Sequence, residues 1–75
     1  MSAPDRRTRV LRALSGLSRA SRDIDALGEG EGLSAHLSFC LWELAVEASY
    51  GVRRLNYVAR LLGINPEAIE KAKQQ

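Results

Sequence analysis

The sequence has few of the residues that mark disulfide-stabilised, secreted or membrane proteins. One cysteine, Cys40, occurs in 75 residues, which excludes a disulfide within the chain. No apolar run approaches the roughly 20 residues that a membrane-spanning helix needs. No stretch has the charged, long-apolar and small-residue order of a secretion signal. These absences predict a protein of the reducing cytoplasm that makes no contact with a membrane.

Aromatic residues are also scarce, at 5% of the chain, and there are only two prolines. What is present is ordinary for a folded helical protein: 45% of the residues are hydrophobic and 27% are charged, which is too apolar for a disordered chain. We therefore predict a single helical domain over residues 1–75. A domain this short buries only about 60% of the surface that its unfolded chain exposes, so its own core is thin.

The net charge of +2 is unevenly distributed. Residues 1–27 contain six Arg and three Asp, a balance of +3, whereas residues 28–75 contain five basic and six acidic groups, a balance of −1. The N-terminal segment therefore carries the positive field. Three of its arginines, Arg12, Arg19 and Arg22, fall on the polar side of the first predicted helix.

The spacing of the apolar residues predicts an all-α fold, a small bundle of about four helices. Val10, Leu14 and Leu17 recur at intervals of three and four, which places them on one side of a helix. Gly16, in the middle of this stretch, indicates a kink or a close approach by another backbone. The predicted helices cover residues 5–26, 34–50, 52–62 and 66–74, and a loop rich in glycine and glutamate covers residues 28–33.

Local signals set the ends of these predicted helices. Ser34 is a good N-cap for the second helix, and Gly51 suits the left-handed residue that ends it. Gly63 is predicted to end the third helix. Asn65 then caps the last one, and Pro66 takes its first position, where the missing N–H does no harm.

The predicted helix 34–50 is apolar around nearly its whole circumference. Such a helix lies in the centre of a protein or at an interface. Because a chain of this size has little else to cover it, we expect a homodimer that forms through the first two helices. The candidate interface residues are Leu14, Leu17, Phe39 and Trp42.

The C-terminal stretch LNYVARLLGINPEAIEKAKQQ, residues 55–75, contains a small residue, a turn glycine and a later apolar residue at suggestive intervals. Ala59 precedes Gly63 by four positions and Ile69 follows it by six. Over residues 55–74 this pattern resembles the helix-turn-helix proteins of bacterial and phage regulation. The resemblance implies that the last helix enters the major groove of double-stranded DNA while the preceding helix crosses the backbone.

Site residues follow from the resemblance. The arginine, lysine and hydroxyl side chains of the preceding helix would contact phosphates, because such contacts provide most of the affinity for DNA. The implied phosphate contacts are Arg53, Arg54, Tyr57 and Arg60. The implied base-facing positions are Asn65, Glu67, Glu70, Lys71 and Gln74. The leading hypothesis is therefore a small, non-enzymatic, DNA-binding regulator that acts as a homodimer.

A second hypothesis is a helical protein-interaction module, such as a small inhibitor, an antitoxin-like factor or an adaptor, that binds no nucleic acid. It follows from the neutral charge of the last helix, where Glu67 and Glu70 balance Lys71 and Lys73. Its protein target would dock against the helix that contains Trp42 or against the ridge of arginines on the first helix.

One helical line of possible metal ligands, His36, Cys40, Glu43 and Glu47, is the remaining candidate for chemistry. A straight helix offers at most two ligands to one tetrahedral zinc ion, and the chain has no other histidine or cysteine. Cys40 has only His36 as a possible base, and no third group orients that imidazole. We therefore predict no metal, no cofactor and no catalytic residue.

Overall fold

The computed structural model describes residues 5–75, which form three α-helices and no strand. Helix α1 spans Arg6–Leu27, α2 spans Ala35–Leu61 and α3 spans Pro66–Gln74. The prediction of an all-α fold is confirmed. The prediction of four helices is wrong in one respect, because the expected helices 34–50 and 52–62 are a single helix of 27 residues.

The helix starts follow their local signals. The Asp5 carboxylate accepts a hydrogen bond from the Thr8 backbone N–H at 2.8 Å and caps α1. This N–H is the main cause that lowers the pKa of the Asp5 carboxyl below its ordinary value. The Ser34 hydroxyl accepts from the Leu37 N–H at 3.1 Å, and the Asn65 side chain accepts from the Glu67 N–H at 2.8 Å. Both predicted N-caps are therefore present.

Gly63 stops α2 as predicted. Its φ of 77° lies in the left-handed region, which glycine adopts without the steric cost that a Cβ brings. The Gly63 N–H donates to the Arg60 carbonyl at 3.0 Å, and the Ile64 N–H donates to the Ala59 carbonyl at 3.1 Å. These bonds satisfy carbonyls at the end of α2 and turn the chain toward α3.

Gly51 does not end a helix, in contrast to the prediction. It lies inside α2 and does not have the positive φ that is found at Gly30, Gly32 and Gly63. The reason lies in the tertiary structure: a Cβ at Gly51 would stand 2.8 Å from Leu17 Cδ2, so the missing side chain makes room for Leu17. At Gly16, by contrast, a Cβ would meet nothing within 4 Å. The close approach considered for Gly16 therefore occurs at Gly51.

Helices α1 and α2 pack as an antiparallel pair. From the start of α1 to its end, Leu14 shares a core with Ala59, Leu17 lies on Gly51 and Ile24 lies beside Leu41. Residues later in α1 therefore contact residues earlier in α2, as an antiparallel arrangement requires. Helix α3 packs mainly on α1.

The core is small and lies at one end of this pair. Its buried members come from all three helices and the turn before α3: Leu14, Ala59, Ile64, Ile69 and Ala72. The shortest dimension of the molecule is only 16 Å. Within residues 5–75, α1 is the helix that packs along the first half of α2.

The glycine assignments give a first test. Gly16→Ala should raise the free energy of unfolding by about 1 kcal/mol, because alanine favours a helix interior and the position is open. Gly51→Ala should fall clearly short of that gain, because its methyl group must displace Leu17. Urea denaturation of both variants at one protein concentration measures the difference. Equal stabilisation by the two substitutions would show that Leu17 does not approach Gly51 closely.

Candidate interaction surfaces

A row of large apolar side chains runs along the face of α2 that points away from α1. We call this row the outer stripe, and all its members are exposed: Phe39, Trp42, Val46, Tyr50, Tyr57 and Leu61. Phe39, Tyr50 and Leu61 are eleven residues apart, which is close to three helical turns. The stripe therefore runs nearly parallel to the helix axis, over about 33 Å at a rise of 1.5 Å per residue.

The outer stripe holds every aromatic residue of the chain. All four side chains are between 54 and 63% exposed. Aromatic side chains normally contribute strongly to a core, and continuous exposed apolar patches of this kind mark sites of interaction. The inner face of α2 shows the opposite pattern, since Ala48 and Ala59 are buried there.

Two side-chain contacts order the outer stripe. The Phe39 and Trp42 rings stack with centroids 6.2 Å apart. Farther along α2, the Arg54 guanidinium carbon lies 4.6 Å from the centre of the Tyr50 ring, a cation–π contact. Arg54 and Tyr50 also line an open groove on this face, together with Arg53, Tyr57 and Val58. The stripe is thus an apolar surface with charged groups along its edges.

A second surface is the groove between α1 and α3. Three cationic side chains line it, Arg12, Arg19 and Lys71, and no carboxylate side chain does. Its floor is apolar and includes Leu11 and Ala72. This groove is therefore a basic surface, which we call the basic groove.

Arg22, the remaining arginine of the predicted ridge, has a structural contact instead. Its guanidinium donates to the carbonyl oxygens of Lys73 at 2.8 Å and Gln75 at 2.9 Å. The last carbonyls of a helix have no partner within the helix and favour a cation. Arg22 therefore fastens the end of α3 to α1.

The side chains expected to contact DNA fall on separate surfaces. The four implied phosphate contacts are exposed on α2, and three of them, Arg53, Arg54 and Tyr57, line the groove on its outer face. The five implied base-facing residues are exposed on α3 or at its cap. Among them Glu70 pairs with Lys73 at 3.2 Å. The groove on α2 contains no α3 residue, and the basic groove contains Lys71 but none of the four implied phosphate contacts.

The candidate interface residues also divide into two groups. Leu14 is fully buried in the core of the single chain, and Leu17 packs on Gly51. Phe39 and Trp42 are exposed and belong to the outer stripe. Sequence reasoning did not connect Val46, Tyr50 and Leu61 with Phe39 and Trp42 as one exposed stripe, because the expected break at Gly51 divided the stripe between two helices.

No protein family, curated protein or solved structure matches this chain. Its surfaces are therefore interpreted from their own chemistry. The possible metal line on α2 brings only the His36 Nε2 and Cys40 Sγ atoms together, at 3.8 Å. Within residues 5–75 no group of three or more His, Cys, Asp or Glu side chains is placed to hold a metal ion. None of the helices in that range has the length and apolarity to cross a membrane.

Proposed function

We propose that the chain is a non-enzymatic, helical protein-interaction module that acts as a homodimer through the outer stripe of α2. The observation that carries the proposal is the exposure of all four aromatic side chains of the chain on one face of one helix. Water is a poor environment for this surface, and nothing else within residues 5–75 covers it. A partner that buries the stripe removes this unfavourable exposure.

The size of the stripe supports a specific dimer. An aromatic side chain buries about 150–250 Å² when it is enclosed, and more than half of that area is still exposed on each of the four. With Val46 and Leu61 added, two copies that cover each other would bury on the order of 1,200 Å² in total. This area lies at the lower end of the range for specific interfaces, roughly 1,200–2,000 Å².

The layout of the stripe favours a second copy of the chain as the partner. Phe39 and Leu61 lie at equal distances on either side of Tyr50, so the two ends of the stripe are both apolar. A two-fold interface uses the same patch on both chains and needs a patch that complements itself. The outer stripe meets this requirement without any further surface.

Two substitutions on opposite faces of α2 test the proposal. Val46→Lys places a charge in the middle of the stripe and should convert the dimer to a monomer at micromolar concentration, because burying an unpaired ammonium group is costly. Leu44→Lys is the matched control: Leu44 is 48% exposed against 49% for Val46, and two residues along a helix lie on nearly opposite sides.

Sedimentation equilibrium measures the outcome, with circular dichroism to show that both variants remain helical. The wild-type chain and Leu44→Lys should have the mass of two chains and Val46→Lys that of one. A wild-type mass of one chain, or dissociation by Leu44→Lys alone, would contradict the proposal.

DNA binding is the second candidate function, and the basic groove is the observation that favours it. Arg12, Arg19 and Lys71 lie together beside the polar face of α3, with no carboxylate side chain among the residues that line the groove. Cations gathered on one face provide the phosphate contacts on which affinity for DNA depends. In a dimer, the exposed face of α3 would occur twice, as for helix-turn-helix proteins that bind two half-sites about one helical turn apart.

A salt titration with mixed-sequence duplex DNA tests this candidate. Affinity should fall steeply with salt, and Arg12→Ala with Arg19→Ala should weaken binding to all sequences and lower the salt slope by about 2, or about 1 for each lost phosphate contact. Arg53→Ala with Arg60→Ala is the matched control, with two arginines removed from α2. Loss of affinity in the control alone would move the contacts to α2, and no binding at low salt would end this candidate.

A further inference from the structure

We infer that two copies pair through α2 in antiparallel orientation, with the two Tyr50 side chains at the two-fold axis. This inference rests on the proposed homodimer and adds its orientation and register. Four features of α2 carry it: the symmetry of the outer stripe, the order of the charges along its edges, the consequences of a parallel pairing, and the ion-pairing state of those charges in the single chain.

The symmetry of the stripe places the axis. In an antiparallel pair, a residue that lies a given number of positions before the two-fold axis is at the same height along the helix as the residue that lies the same number of positions after the axis in the second copy. With the axis at Tyr50, Phe39 stands level with Leu61 of the second copy, and Leu61 stands level with Phe39 of the second copy. An aromatic ring therefore meets an aliphatic side chain at both ends of the stripe.

The charges along one edge of the stripe complement each other in this arrangement. Glu43, Glu47 and Arg54 follow one another at intervals of four and seven, so they lie on the same edge of α2. A two-fold axis perpendicular to both helices brings this edge against the same edge of the second copy. Arg54 then lies within about 1.5 Å in height of Glu47 of the second copy and within about 4.5 Å in height of Glu43 of that copy. The contact occurs twice.

A parallel pairing has no such complement. Arg53 and Arg60 follow the opposite edge of the stripe, seven residues apart. A parallel two-fold pair brings opposite edges together at equal height. Arg54 would therefore face Arg53 of the second copy, and Arg53 would face Arg54 of the second copy. Like charges placed together in an interface are strongly unfavourable and exclude the wrong arrangement. The antiparallel pair also sets the two helix dipoles against each other favourably.

Within residues 5–75 these charges have no ion-pair partners. The one ion pair of that range joins Lys73 to Glu70, so neither Glu47 nor Arg54 is neutralised there by an ion pair. Glu43 and Glu47, one turn apart, are a like-charged pair that destabilises an isolated helix slightly. Arg54 is already held over the Tyr50 ring beside the inferred axis. A second copy places its Arg54 beside Glu47, and its Glu43 and Glu47 beside Arg54.

Charge reversal separates this register from other dimers. Glu47→Arg should face Arg54 of the second copy, and Arg54→Glu should face Glu43 and Glu47 of the second copy, so each variant alone should dimerise at least tenfold more weakly than the wild-type chain. Mixed in equal amounts, the two variants should recover affinity as a heterodimer, because both contacts then join opposite charges. Sedimentation and native mass spectrometry measure affinity and composition. Glu31→Arg, a charge reversal in the loop before α2, is the control and should leave dimerisation unchanged.

Disulfide trapping in a Cys40→Ser background tests the register independently. On oxidation, Tyr50→Cys should cross-link to itself, whereas Phe39→Cys should cross-link efficiently only when mixed with Leu61→Cys. Self-linking of Phe39→Cys would show a parallel pair and overturn the inference, as would a charge-reversal mixture that associates no better than its components. A wild-type chain that sediments as a monomer would instead contradict the proposed homodimer itself.

Discussion

The contact of Leu17 with Gly51 is the constraint on which the arrangement of the molecule depends. Because Gly51 has no side chain, Leu17 of α1 packs closely against it, and α2 spans this position as one helix. Continuity of α2 aligns the residues before Gly51 with those after it. The outer stripe, with aromatic rings on both sides of the glycine, exists only because the helix is not interrupted.

The position of the core explains why the stripe remains exposed. Leu14, Ala59, Ile69 and their neighbours gather where all three helices meet, and α3 is only nine residues long. Helix α3 extends along α1 and is fastened to it by Arg22, so it does not reach the outer face of α2. Residues 5–75 form no fourth element that could cover the remaining apolar face. A second copy provides that element, and the charges at the edges of the stripe select how it is placed.

Features set by neighbouring residues could be predicted from the sequence, whereas features set by distant ones could not. The caps at Ser34 and Asn65 and the turn at Gly63 each depend on groups within a few positions, so their residue types were sufficient. Gly51 has the same local signal as Gly63, but it lies inside a helix and packs against Leu17, which is far away in sequence. The hydrogen bonds of Arg22 to the end of α3 have the same origin. Because α2 is apolar nearly all round, its exposed face could not be identified before the positions of α1 and α3 were known.

The most direct test of the central claim uses Trp42, the single tryptophan of the chain, as a reporter of the outer stripe. Its side chain is 63% exposed in the single chain and would be largely enclosed in the dimer. If α2 pairs with a second copy, tryptophan emission should move to longer wavelength and iodide should quench it more strongly as the protein is diluted through the dissociation range. The midpoint should match that from sedimentation. Emission and quenching that stay at the values of an exposed tryptophan at every concentration would contradict the claim.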